Sequence, residues 1–169
     1  KGSQIAVVGD DTVDRSVFEA CPELRLVIRW GAGIDNVDLV AARTHGGDVQ
    51  NTPGLFGEDV ADLAISLALS CVRNMVKNDR EIREGRWPKD TVHSFRDMKA
   101  AILGAGAVGR EIARLLSAFG LVARVYDPVV PEGEGQYWRA VDSIQKCVAD
   151  ANLLFVCLPL NNETRGLVG

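Results

Sequence analysis

The glycines of Gly104-Ala105-Gly106-Ala107-Val108-Gly109 follow the apolar run Ala100-Ala101-Ile102-Leu103 and open a helical pattern. A first glycine permits a tight strand-to-helix turn, a second lets backbone approach a pyrophosphate, and a third lets the helix pack closely on its strand. Phosphates would then meet the unpaired N–H groups at the positive end of that helix. Asp127 lies 18 residues beyond Gly109 and ends the next apolar run, Val122-Ala123-Arg124-Val125-Tyr126. A carboxylate there can accept hydrogen bonds from an adenosine ribose and would repel a 2′-phosphate, so the pattern predicts NAD rather than NADP.

A second glycine cluster, Trp30-Gly31-Ala32-Gly33-Ile34-Asp35-Asn36, follows another apolar run, Leu24–Arg29. Its backbone can turn several N–H groups toward one point and hold a small carboxylate, or it can be a tight turn without a ligand. Imidazole titrates near neutral pH, which makes His45 and His93 the natural places to look for an acid or base. His45 sits in Arg43-Thr44-His45-Gly46-Gly47, where a cationic side chain and a glycine end a helix, and His93 lies in a charged connection near Pro88. Both read as structural or surface groups. Arg165, in a polar loop, reads as a solvated arginine. Cys21, Cys71, Cys147 and Cys157 have no metal-ligand spacing and sit mostly in apolar runs, as reduced, buried thiols do.

The elements that must carry these residues alternate between two periods. Apolar runs at Ile5–Val8, Leu24–Trp30 and around Val49, separated by helical patterns at Val13–Ala20 and Val37–Arg43, give the rhythm of a parallel sheet. Val60, Leu63, Ala64, Leu67, Ala68, Cys71, Val72 and Met75 form one stripe at helical spacing, predicting a long amphipathic helix. The stretch 78–98, charged and interrupted by Gly85 and Pro88, reads as the helix end and a connection between domains. A second rhythm follows: strand Ala100–Leu103, helix Val108–Phe119, strand Leu121–Tyr126, a loop over Asp127–Gly135, a short helix at Val141–Val148 and a strand at Asn152–Cys157. Leu158-Pro159-Leu160 then ends the ladder, since proline has no N–H to donate.

Composition narrows the function classes. The 169 residues are 47% hydrophobic, enough for a real core, and a formal charge of −4 with scattered Lys and Arg disfavours nucleic acid. No charged-then-apolar leader opens the sequence and no apolar run approaches the length of a membrane span, so a cytoplasmic location is expected. No metal site is predicted.

Taken in order, Arg29-Trp30-Gly31-Ala32-Gly33-Ile34-Asp35-Asn36-Val37-Asp38, Asn51-Thr52-Pro53-Gly54, Val60-Ala61-Asp62, Gly104–Gly109, Tyr126-Asp127-Pro128, Leu158-Pro159-Leu160 and Glu163-Thr164-Arg165-Gly166 resemble the NAD-dependent D-isomer-specific 2-hydroxyacid dehydrogenases, most of all their phosphoglycerate dehydrogenase-like branch. The resemblance implies an α/β chain with Rossmann-like parallel sheets in two incomplete domains. Residues 1–90 would be part of a flavodoxin-like substrate-binding domain that includes the long helix, and 91–169 the first half of the NAD-binding domain. It implies that Gly31, Ala32 and Gly33 receive the substrate carboxylate and that Gly104, Gly106, Ala107, Val108 and Gly109 meet the pyrophosphate. Asp127 would bind the adenosine ribose, and Cys157, Leu158, Pro159 and Thr164 would border the cofactor. Asp62 stands where the family usually has Glu, and Leu158 where Thr is frequent.

The activity implied is hydride transfer between NAD and the C2 of a D-2-hydroxy acid, in a homodimer that the helix Val60–Met75 helps to form. The resemblance places the substrate-orienting arginine and the acid/base glutamate and histidine beyond Gly169, and it aligns Arg165 with an earlier, non-catalytic position. Catalytic residues are therefore not expected within the sequence. Two other readings stay open. An NAD-sensing corepressor of the same fold would dimerise with NAD and show no turnover, and the 169 residues by themselves could be catalytically inert.

Overall fold

A computed structural model describes residues 2–168. The backbone forms two compact units, one reaching to Phe56 and joined by residues 159–168, the other running from Gly57 to Leu158. In the first unit, β1 (Ile5–Val8), α1 (Arg15–Ala20), β2 (Leu26–Arg29), α2 (Leu39–Thr44) and β3 (Asp48–Asn51) alternate. The strands pair in parallel in the order β1-β2-β3. Both helices begin at an aspartate: Asp14 accepts from the Ser16 N–H, and Asp38 from the N–H groups of Val40 and Ala41. Those caps satisfy donors that a helix start otherwise leaves orphaned, and they start α1 and α2 two residues later than the apolar pattern alone indicates. Phe18, Val27 and Ala42 form the buried centre of this unit.

The second unit opens with α3 (Gly57–Val72) and α4 (Met75–Arg83), then a 3-10 turn at Phe95–Asp97. The expected single helix from Val60 to Met75 is broken at Asn74, which takes left-handed backbone at φ 52°. Asparagine tolerates that conformation better than other side-chain-bearing residues, so a periodic apolar stripe did not betray the break. The remaining elements are β4 (Ala100–Leu103), α5 (Ala107–Ala118), β5 (Ala123–Tyr126), β6 (Gly133–Glu134), β7 (Trp138–Ala140), α6 (Ile144–Val148) and β8 (Leu153–Val156).

These strands lie in the order β6-β7-β5-β4-β8, parallel apart from β6 against β7. From β7 to β8 this is the 3-2-1-4 order of a dinucleotide-binding sheet. β4 is buried along its whole length, between β5 and β8. α5 and α3 pack on one face, on Ile102, Val125 and Phe155; α6 packs on the other through Cys147, against Ala101 and Leu103. Helices on both faces make the sheet doubly wound, as the sequence pattern predicted.

Two features depart from the sequence reading. The stretch 127–135, read as a loop, ends in β6, and β7 was not foreseen because the crossover from β5 has no helix to announce a following strand. The long helix, grouped from sequence with residues 1–90, packs on α5 and belongs to the unit that carries the glycine motif. Periodicity identifies a face to be buried and is silent about its partner.

Candidate functional site: the glycine turn between β4 and β8

The chain leaves β4 where its two neighbours diverge in connectivity, since β5 follows through α5 and β8 arrives from α6. In open α/β sheets a ligand binds at such a switch, in the crevice beyond the carboxyl ends of the strands. Gly104 sits at that end of β4 with φ +97°, and a Cβ there would lie 2.7 Å from the Cys157 carbonyl oxygen. Both the backbone angle and the approach of β8 exclude a side chain. At Gly109 an added Cβ would lie 2.0 Å from the Gly104 carbonyl oxygen, so only glycine lets α5 rest on the turn it leaves.

Gly106 differs from both. An added Cβ would meet no protein atom within 4 Å, and its φ of −70° is open to any residue. Nothing in the protein requires a glycine there, and its absence of a side chain leaves the backbone open to a ligand. Gly106 is also the N-cap of α5, and no side chain caps that end. The first N–H groups of the helix, from Ala107 onward, are left for an anion, which the helix dipole favours. A dinucleotide pyrophosphate fits this cradle.

Asp127, half-buried at the end of β5, faces the same turn. Its Oδ2 accepts from the Ala105 N–H at 2.7 Å and its Oδ1 from the Val129 N–H at 3.0 Å. Each carboxylate oxygen has a further lone pair, so the group can tie the glycine turn to the following loop and still accept ribose hydroxyls. Arg110 adds a contact that the sequence did not suggest. Its Nε donates to the Ala105 carbonyl at 2.6 Å, and its guanidinium lies 5.3 Å from the centre of the Trp138 ring. Trp138 lies on β7, the strand that went unforeseen, so no local pattern could have shown the pair.

Cys157 and Leu158 border Gly104 directly, the first through its carbonyl and the second through Cδ2, 3.2 Å from the added Cβ. Burial pushes the Cys157 thiol up to about 11, so it is a neutral group at physiological pH. Burial also raises Cys147, whose Sγ lies 3.5 Å from the Ile102 carbonyl. Of the four cysteines only Cys147 is buried; Cys71 on α3 is exposed, contrary to the expectation of mostly buried thiols, because its face of the helix is uncovered. Pro159 and Thr164 belong to the closing segment, where the Thr164 hydroxyl donates to the Pro159 carbonyl and accepts from the Asn161 N–H. That hydroxyl is engaged in its own turn.

In the first unit, Gly31 takes φ +151° and its N–H donates to the Thr52 hydroxyl at 2.9 Å. The Asn51 side-chain amide donates to the Ala32 carbonyl at 2.6 Å, which fixes the loop from a second side. Among the described residues the N–H groups of Ala32 and Gly33 have no partner, so these two, rather than Gly31, are free to meet a carboxylate. The Arg29 guanidinium packs against Gly31 and is held by Asp10, which puts positive charge beside the loop.

Neither histidine is set for proton transfer. His45 is the C-cap of α2, its Nδ1 lies 2.9 Å from the Ala41 carbonyl and its ring stacks on Phe18; His93 is exposed. Among the described residues no group of side chains could hold a metal ion, and no helix is long and apolar enough to cross a membrane.

Comparison with known proteins agrees with this geometry. A glyoxylate reductase from Korarchaeum cryptofilum is 32% identical over 167 residues, covering 94% of this chain and 50% of that protein. A D-3-phosphoglycerate dehydrogenase from Archaeoglobus fulgidus is 32% identical over all of this chain and 33% of its own length. Among solved structures, the NAD-bound 3-phosphoglycerate dehydrogenase of Entamoeba histolytica superposes with a TM-score of 0.84 at 25% identity, over 100% of this chain and 51% of that one. The NAD-dependent formate dehydrogenase of Staphylococcus aureus gives 0.88 at 26%, over 98% and 52%. The chain thus spans between a third and about half of the length of these relatives. A family model for the NAD-binding domain of D-isomer specific 2-hydroxyacid dehydrogenases matches residues 65–169, more than half of the chain and all of the glycine turn, β5 and β8. The chain belongs to the D-isomer specific 2-hydroxyacid dehydrogenase family, and NAD is its cofactor.

Proposed function

We propose that this chain binds NAD for an oxidoreductase that moves a hydride between the cofactor and the C2 of a D-2-hydroxy acid, a phosphoglycerate-like or related 2-hydroxy or 2-keto acid. The observation that carries the reading is Gly106, the one motif glycine with open space around it and no backbone need to be glycine. When bound, NAD supplies the hydride acceptor or donor, and the hard chemistry is its own. The chain's residues bind and orient. Gly106, Ala107 and Val108 present N–H groups to the pyrophosphate, and Gly104 and Gly109 hold the turn tight enough to do so. Asp127 accepts the ribose hydroxyls and turns away a 2′-phosphate, while Cys157, Leu158 and Pro159, with Thr164, border the rest of the dinucleotide. In the first unit the loop Gly31–Gly33 receives the substrate carboxylate, through the free N–H groups of Ala32 and Gly33 beside Arg29.

The test is cofactor affinity. In Asp127→Ala, NAD should bind about tenfold more weakly, or the preference over NADP should relax, since a hydrogen bond to a charged group is worth roughly 1.5–3 kcal/mol. Isothermal titration with both cofactors reads this out. Unchanged affinity for both would overturn the role of Asp127. The substrate class is tested by spectrophotometric turnover of glyoxylate, hydroxypyruvate and 3-phosphoglycerate with the protein, and NAD-dependent dimerisation without turnover of any of them would favour a sensor instead.

A further inference from the structure

The first turn of α5 does not stand alone. The first turn of α3 lies against it: a Cβ built on Gly57 would be 3.1 Å from the Ala107 Cβ, 3.4 Å from the Ala107 carbonyl carbon and 3.5 Å from its oxygen. Gly57 is the first residue of α3, it is buried, and Ala61, one turn on, is fully buried. The backbone of α3 therefore reaches Ala107 with no side chain between them. Ala107 is the residue that follows Gly106, and its N–H is the first that the helix leaves for a phosphate.

We infer that Gly57 is a positioning residue for NAD: its missing side chain lets α3 set where the first turn of α5, and with it the Ala107 and Val108 N–H groups, meets the pyrophosphate. The inference rests on the reading of that turn as the cofactor site. A methyl at position 57 would bring two carbons closer than nearly all observed contacts, so either α3 retreats or Ala107 gives way by a few tenths of an ångström. A helix start tuned to a phosphate is sensitive to such a shift, because the hydrogen bonds it offers weaken as their distance and angle change. Gly57 does not owe its identity to backbone strain, since no left-handed φ is found there. Its cost to helix propensity is compensated by contact, which ties the residue to packing against Ala107 and not to a turn.

A double-substitution cycle on NAD affinity, read by titration calorimetry beside the thermal stability of the cofactor-free protein, tests this. Gly57→Ala should raise the NAD Kd three- to tenfold while the melting temperature of the cofactor-free protein holds or rises, because alanine is the better helix former. Gly57→Val should weaken NAD further. In the Ala107→Gly background, where the opposing methyl is gone, Gly57→Ala should change the Kd less than twofold. A Kd indifferent to residue 57 would overturn the inference and leave the site standing. An equal loss in both backgrounds, or a loss that only follows a fall in stability, would overturn it as well. Failure of the unsubstituted protein to bind NAD would overturn the site and the inference together.

Discussion

Asp127 carries a structural task beside the cofactor role proposed for it. With both oxygens already accepting backbone N–H groups from Ala105 and Val129, it fixes the glycine turn before any cofactor arrives. A site preorganised in this way spends less of its binding energy on ordering a loop. Asp127→Asn should therefore lower the stability of the cofactor-free protein by about 1–3 kcal/mol, since an amide nitrogen cannot accept from the N–H that it replaces an oxygen for. Urea unfolding without NAD measures this, and an unchanged midpoint would mean that the turn holds its shape without the carboxylate. Cys157 makes a second residue-scale prediction, from its thiol raised to about 11. A raised folded-state value leaves the stability from this group intact below the ordinary thiol value of 9.0 and removes it progressively as pH climbs toward 11. Iodoacetamide followed by peptide mass spectrometry should label exposed Cys71 readily at pH 8 and Cys157 far more slowly, with Cys157 gaining only above about pH 10. Equal labelling of the two at pH 8 would contradict the burial of Cys157.

At the scale of elements, packing sets where α5 sits. Ile112 and Leu116 are fully buried against the sheet, and each such side chain is worth roughly 1.5–3 kcal/mol, whereas the surface ion pair of Arg114 with Glu111 adds little. Gly109 is what lets that face come down on β4, so Gly109→Ala should cost about 3 kcal/mol or more, as overpacking of a rigid backbone contact does. Denaturant unfolding reads the loss; a cost below about 1 kcal/mol would show that α5 can slide. What was legible beforehand follows from the range of each interaction. The strands and helices around Gly104–Gly109 and Asp127 could be read because turn glycines, apolar runs and the acidic residue are local signals. The break at Asn74 and the strand Trp138–Ala140 could not, because one depends on a single left-handed residue and the other on pairing with β5 across a crossover without a helix. Gly57, Arg110 and the partner of α3 were hidden for the same reason: each acts only once distant segments have met.

At the scale of the molecule, the outer face of α3 has no partner among the described residues. Val60, Leu63 and Leu67 are 45%, 60% and 57% exposed, while Ala61, Ile65 and Ala68 on the opposite face are buried against α5 and the sheet. Leu154 and Val156 on β8 are also exposed, on the one edge strand of the second sheet that is not blunted by β6. A strip of large apolar groups beside an open edge is a surface that water disfavours, and it invites association. A second copy of this chain is the occupant expected for α3, since the same exposed strip on two copies can be buried in one self-complementary contact. The chain should therefore run above its monomer mass at micromolar concentration in multi-angle light scattering. Leu63→Glu with Leu67→Glu should shift the mass toward a monomer and leave NAD affinity within about twofold, because both residues lie outside the glycine turn and the first turns of α3 and α5. Persistent association of that variant would direct attention to β8, where Val156→Lys should then abolish it. A monomeric parent chain would overturn the assignment of α3 as the contact face.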